Sequence, residues 1–314
     1  MRSRVILTAA ELNFFTHIDE RPCSAEELAR EKSLSPRAVT RLLDCLIAMG
    51  LVEKMAGVYK LSENGTFFSS RHPDTVLPML LHMNHLWDAW SNLTQVVKDG
   101  GIPQLEPGIQ MTDDSWRSFI GAMHVVGRDL AEKIAADYDL GRFKRLLDIG
   151  GASGTYTIAF LRRNPAMTAA IFDLENVIPM AAERISKETV GDRIDLVAGN
   201  FYKDKLPEGC DLALLSAIIH QNSPESNLDL YARIFKVLDS GGTVLIRDFI
   251  MDESRTKPPA GAMFAINMLV NTQGGDTYTF QEVKDALEKA GFANVRQVRY
   301  GEGMDCLVEG LKPA

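Results

Sequence analysis

The sequence predicts an α/β protein of two domains, a small helical module followed by a parallel sheet covered on both faces by helices. Three observations predict it. Beyond Arg145, strand-like and helix-like patterns alternate; the first of those strands closes in a run of small residues; and before Ser70 a helical pattern ends in a short alternating hairpin. A chain of 314 residues is also long for one compact core. Apolar residues at 46% and charged residues at 24% are ordinary globular values, which exclude a disordered or fibrous chain.

The helical module comes first. Ser24 precedes AEELAREK and caps a helix with Glu27 as its capping-box partner, and Ser35-Pro36 opens a second helix, RAVTRLLDCLIAMG, that stops at Gly50. Val39, Leu42, Leu43, Leu46 and Ile47 repeat at helical spacing, and LVEKMAGVYKLSENG then alternates as two strands around Ala56-Gly57. That order is a winged helix, all-helical apart from its wing. Through Ser70 it carries nine basic and nine acidic residues, and the whole chain has a net charge of −8. Affinity for duplex comes mainly from clustered cations, so the module is expected to pack or dimerise rather than bind nucleic acid.

An apolar, Trp-containing segment from Asp74 to Gly100 reads as one or two buried helices, followed by a Gly/Pro-rich loop to Gly108 and a helix from about Asp114 to Tyr138 that joins the domains. The boundary is placed at residues 1–100 and 101–314. Cys23, Cys45, Cys210 and Cys306 lie far apart with no CxxC pair, which favours reduced, packed thiols over a metal site or a disulfide framework. His82 and His85 lack the acidic neighbours a metal would need. No apolar run is long enough to span a membrane, and the N-terminus does not read as a signal peptide, so a cytoplasmic protein is expected.

In the second domain the strands read LLDIG, MTAAIFDL, IDLVAGNF, CDLALLSAII and GTVLIRDFI, with helices between them. Ligands bind such sheets at the carboxyl ends of the strands. The first strand ends in Asp148-Ile149-Gly150-Gly151-Ala152-Ser153-Gly154, where glycine lets a ligand approach the backbone. That spacing alone also suits a dinucleotide. Asp148 inside the motif repels phosphate but can orient a water or receive a cationic amino group, which favours an amino-acid-bearing ligand. Asp173 closes the next strand 25 residues on, where a carboxylate accepts two ribose hydroxyls. Asn200 and Phe201 end the third strand, suited to an adenine edge and an adenine face. Leu174 and Ser216 complete the candidate cofactor set with Gly150, Gly151 and Gly154.

Taken together, the neutral winged helix, the Trp-containing linker, LLDIGGASG, FDLENVI, GNF, LLSAIIH, GGTVLIRD and GGDTYTFQEVKDALEKAGF resemble the small-molecule S-adenosylmethionine-dependent O-methyltransferases. That family has a winged-helix dimerisation domain and includes plant phenolic, hydroxyindole and bacterial tailoring enzymes. The resemblance covers almost the whole chain. It implies a Rossmann-like class I methyltransferase domain, S-adenosyl-L-methionine as cofactor, a small-molecule acceptor, a homodimer through the N-terminal domain, and no metal.

Carried over by position, the resemblance puts the catalytic base at His220 and the acid that positions it at Asp248. A second acid expected in GGDTYT is replaced by Thr277, with Asp276 beside it as a substitute. Gln221 and Asn222 stand where the family has Asp and Trp, Asn200 replaces a commoner Asp, and Ala152 a commoner Gly. A histidine suits deprotonation of a hydroxyl at neutral pH. On its own, His220 reads first as a structural residue bonded to a backbone carbonyl, and a carbon, nitrogen or sulfur acceptor would not need it. A cofactor-sensing winged-helix regulator is the reading from another class, and the charge balance opposes it. Trp116, Phe119, Met123 and His124 on one helix, and Met263, Phe264, Asn267, Met268 and Asn271 on another, are candidates to line a planar apolar acceptor site or to fill the core.

Overall fold

The computed structural model describes residues 1–102 and 113–314. They form two compact units. The first holds Met1–Trp87 and a long helix up to Val126; the second holds the chain from Asp88 and, after that helix passes Gly127, everything to Ala314.

The first unit opens with α1 (Arg2–Glu11), α2 (Phe14–Glu20), α3 (Ala25–Glu31) and α4 (Pro36–Ala48). Ser24 and Glu27 close the capping box at the start of α3, whereas Ser35 makes no capping bond and α4 begins on Pro36 alone. Strands β1 (Val52–Met55) and β2 (Val58–Leu61) pair antiparallel, with Met55 opposite Val58. Ala56 and Gly57, at φ 49° and 85°, form the two-residue left-handed turn whose twist suits a hairpin. Phe14, Phe15, Leu28, Leu43, Leu46 and Tyr59 fill the core beneath them.

After α5 (Glu63–Thr66), the segment expected as one or two buried helices forms three short ones: α6 (Leu77–His85), α7 (Trp87–Ser91) and α8 (Leu93–Asp99). Neither α6 nor α7 buries a single residue, and Met83, Trp87 and Val97 stand exposed. Apolar composition marks surface that favours cover, but it does not say that the same chain supplies the cover. Most of the Gly/Pro-rich loop lies outside the described residues. The joining helix is α9 (Asp113–Asp137).

In the second unit the order is β3 (Arg145–Ile149), α10 (Thr155–Arg163), β4 (Thr168–Asp173), α11 (Ile178–Ile185), β5 (Ile194–Ala198), β6 (Cys210–Ser216), α12 (Pro224–Val237) and β7 (Leu238–Asp248). Then follow β8 (Ile250–Met251), α13 (Pro259–Asn271), β9 (Tyr278–Thr279), α14 (Phe280–Ala290), β10 (Ala293–Arg299) and β11 (Cys306–Leu311). The main sheet runs β10-β11-β7-β6-β3-β4-β5, parallel from β7 to β5, with β11 antiparallel to both its neighbours. This is the Rossmann-like, doubly wound sheet expected from the sequence. Because β4 and β5 wind one way from β3 while β6 and β7 wind the other, the switch point lies at the carboxyl ends of β3 and β6.

Alternation along the strands sorts the core into two layers. Leu147, Ile149, Phe172, Leu215 and Ile246 pack on one face with Tyr231 and Leu287; Leu146, Ile171, Leu214 and Leu245 pack on the other with Ile134, Phe160 and Ile185. All four cysteines are free thiols, three of them buried. Among the described residues no helix is long and apolar enough to cross a membrane.

Candidate active site

The turn between β3 and α10 is held open by backbone geometry. Gly150 sits at φ 71° and Ala152 at φ 50°. A side chain at Gly150 would place its Cβ 2.5 Å from Ile218 Cδ1, so only glycine permits that approach. The turn is fastened to the end of β4: the Ala152 N–H donates to Asp173 Oδ2 at 2.8 Å, and the Leu174 N–H donates to Oδ1 at 2.7 Å. Burial pushes the Asp173 carboxyl above its ordinary range, and those two N–H groups offset part of the rise. Each oxygen takes one backbone donor, which leaves lone pairs for two further hydroxyls.

Asp148 is 1% exposed beneath the turn, where Thr157 Oγ1 donates to its Oδ2 at 2.6 Å. Burial pushes this carboxyl up to about 7, with Asp173 adding to the rise and Thr157 and Arg247 opposing it. Across the turn, Phe201 Cε1 lies 3.6 Å from where a Cβ on Gly150 would stand, and its ring centroid is 4.5 Å from that of Tyr202. Asn200 Oδ1 accepts from the Tyr202 N–H at 2.9 Å, so the loop uses that oxygen itself. Ser216 Oγ accepts from Arg247 Nε at 2.8 Å. Arg247, which no sequence pattern singles out, is buried, donates to the Met304 carbonyl at 2.7 Å and lies over the Tyr156 ring.

The second turn at this edge follows β6. Ala217 takes φ 60°, and a 3-10 turn over Ile219–Gln221 then presents His220. Its Nδ1 lies 2.9 Å from both Oδ1 and Oδ2 of Asp248, at the end of β7. The Asp248 side chain is 1% exposed and that of His220 11%. The Phe249 N–H donates to Asp248 Oδ1 at 2.8 Å, and Phe264 sets its ring at 85° to the imidazole with centroids 4.8 Å apart. The partner of Nδ1 is thus a carboxylate, not the backbone carbonyl of the structural alternative. A carboxylate beside Nδ1 favours the tautomer with its proton there and the lone pair on Nε2.

A model of the O-methyltransferase domain matches residues 90–293, and one of the O-methyltransferase dimerisation domain matches residues 1–71. The chain belongs to the O-methyltransferase family. It is 30% identical to the 3-hydroxy-5-methyl-1-naphthoate 3-O-methyltransferase of Streptomyces sahachiroi, over 99% of this chain and 92% of that one. It is 29% identical to the tetracenomycin polyketide synthesis 8-O-methyl transferase of Streptomyces glaucescens, over 99% and 93%. Among solved structures, PigF with SAH superposes with a TM-score of 0.88 at 25% identity, covering 99% of this chain and 96% of that one. A likeness of fold alone links it to an N,N-8-amino-8-demethyl-D-riboflavin dimethyltransferase from Streptomyces davawensis, with a TM-score of 0.81 at 23% identity over 99% of this chain and 95% of that one.

This O-methyltransferase is therefore an S-adenosylmethionine-dependent enzyme. The residues present fit the cofactor: a small-residue turn in left-handed backbone geometry at the switch point, a carboxylate with spare lone pairs at Asp173, and an acid at Asp148. Asp276 pairs with Arg255 at 3.2 Å, and Thr277 is buried with its hydroxyl toward the Gly261 carbonyl.

The acceptor candidates are divided between the two units. Phe264 stands against His220, whereas Asn267 accepts from Trp90 Nε1 at 3.0 Å and from Asn271 Nδ2 at 3.0 Å. Met268 is buried and Met263 exposed. Trp116, Phe119, Met123 and His124 belong to the first unit, where the Phe119 ring lies 6.1 Å from Trp116 and 5.2 Å from His82. Burial lowers His82 to about 4, and no cluster suited to a metal occurs among the described residues.

Proposed function

We propose that this methyltransferase moves the methyl group of S-adenosylmethionine to a hydroxyl of a small aromatic acceptor, with His220 as general base. The observation that carries the proposal is the contact of His220 Nδ1 with both oxygens of the buried Asp248. When bound, the cofactor supplies a methyl group already activated on a sulfonium. What remains for the protein is alignment and removal of one proton. Alignment is worth up to about 7–11 kcal/mol in favourable intramolecular models. Nε2 takes the hydroxyl proton as the oxygen attacks, and Asp248 stabilises the imidazolium without accepting a proton itself. Phe264 limits rotation of the ring.

On the cofactor side we assign Asp173 to the ribose hydroxyls, Phe201 to the adenine face and Asp148 to the amino group. The two Streptomyces relatives, whose names specify O-methylation of a naphthoate and of a tetracenomycin polyketide, support an aromatic hydroxyl as acceptor. The proposal includes a homodimer through the first domain, supported by the dimerisation-domain match and by the exposed Met83, Trp87 and Val97. It also includes a domain boundary near residue 100 and residence in the cytoplasm, which suits four free thiols.

Incubation with methyl-labelled cofactor and a panel of hydroxylated aromatics, matched by amines and thiols of the same skeletons, tests the acceptor. Label on oxygen is expected. Label carried to nitrogen, carbon or sulfur, undiminished in His220→Ala, would replace the proposal with a methyl transfer that has no need of a base.

A further inference from the structure

The bond to Asp248 fixes the imidazole of His220, but the backbone beneath it lies on a turn and needs its own restraint. Buried side chains grip that turn from both sides. Asn227 Nδ2 donates to the Ile219 carbonyl at 2.9 Å, and the Tyr278 hydroxyl donates to the Asn222 carbonyl. The two amides join where Asn222 Nδ2 donates to Asn227 Oδ1 at 2.9 Å. The Tyr202 hydroxyl completes the set, donating to Asn222 Oδ1 at 2.5 Å. Asn222 is 2% exposed, and both ends of its amide are bonded. Stripping a partner from a buried amide costs more than the bond alone is worth, so the set holds or loosens together.

Tyr202 comes from the other side of the site. It follows Asn200 and Phe201 on the loop after β5, its N–H bonds Asn200 Oδ1, and its ring packs on Phe201 beside the glycine turn. Burial pushes its hydroxyl up to about 12, so it remains a donor at any working pH. One side chain therefore ties the loop that flanks the adenosyl site to the turn that carries the base.

We propose that Tyr202 and Asn222 are positioning residues that set the place of His220 according to whether the cofactor loop is occupied. The proposal rests on His220 being the base. A ligand that packs against Phe201 fixes Tyr202, Tyr202 fixes Asn222, and Asn222 fixes the 3-10 turn. Coupling of this kind is reciprocal, so a turn already in place also favours the occupied loop.

The test is histidine-labelled NMR of the full chain, with the His220 signal assigned by its loss in His220→Gln. Titration of the wild type with S-adenosylhomocysteine should move that signal. Tyr202→Phe keeps the ring and removes only the hydroxyl; because the coupling is reciprocal it should bind S-adenosylhomocysteine more weakly, by up to about tenfold, and at saturation the His220 signal should stay still. Its kcat should fall about tenfold, the equivalent of one buried hydrogen bond, with acceptor KM little changed. Asn222→Asp, which loses the donor to Asn227, should show the same silence of His220. A His220 signal that responds equally in both variants, or an unaltered kcat, would overturn the coupling. Full activity in His220→Gln would instead overturn the base itself, a separate result read from a separate protein.

Discussion

Two turns at the carboxyl edge of the sheet make up the proposed site, and they are built from different materials. The turn after β3 is held by main-chain geometry and by N–H groups bonded to Asp173, all within a short stretch of chain and the next strand. The turn after β6 is held by side chains from elsewhere: Asp248, 28 residues on, and Tyr202, Asn227 and Tyr278. A site made of backbone can bind a cofactor shared by many enzymes. A site made of side chains can be retuned to one acceptor without disturbing that cradle.

The difference can be broken first at the base. His220→Ala should lower kcat by about 10²–10⁴ while leaving the cofactor dissociation constant in place, because general base catalysis is worth that much. Steady-state kinetics beside calorimetry separates the two quantities. Asp248→Asn should approach the same loss, since an amide no longer holds the proton on Nδ1 or balances the imidazolium. An Asn variant with wild-type kcat would mean that the carboxylate only fills space.

Effects on the cradle should be smaller and of the opposite kind. Asp173→Ala should weaken S-adenosylhomocysteine binding by about 1.5–3 kcal/mol, with kcat at saturating cofactor retained, because hydrogen bonds to a charged group are worth that range. Asp148, raised to about 7 by burial, is protonated more readily folded than unfolded. Its contribution to stability is therefore most favourable at low pH and declines as pH rises through about 7. A cationic amino group needs the ionised form, so cofactor affinity should rise with pH until about 7 and fall below it, by at most about tenfold per pH unit. Calorimetric titrations across that range should show the slope, and Asp148→Asn should flatten it. Smallest of all, Ala152→Gly should stabilise the protein by up to about 1 kcal/mol, because alanine is held at φ 50° where glycine is unstrained. An unchanged melting temperature would show that the strain is relieved by its surroundings.

The same contrast explains what the sequence disclosed. LLDIGGASG was legible as a strand running into a small-residue turn because its own residues decide that geometry, and Ser24 with Glu27 or Ala56-Gly57 were legible because caps and hairpin turns are decided by adjacent residues. Asn222 was visible only as a departure from a family pattern. Its bonds to Tyr202 and Asn227 depend on how β5 and α12 come together, which no local spacing encodes. Arg247 sits inside an apolar strand run and gave no sign of its bond to Ser216. The pair β10–β11 extends the sheet antiparallel beyond β7, whereas the alternation of strands and helices spoke only for the parallel part. Residues 77–99 misled for a simpler reason, since apolar content does not say which surface covers it.

The proton itself offers the most direct test. Wild type and His220→Ala can be compared by kcat/KM over acceptors of one skeleton whose hydroxyl acidity is varied by ring substituents. The deficit of the variant should be largest for the least acidic hydroxyl and should vanish for one already ionised at the assay pH. A deficit that stays constant across the series would show that His220 does not remove the proton.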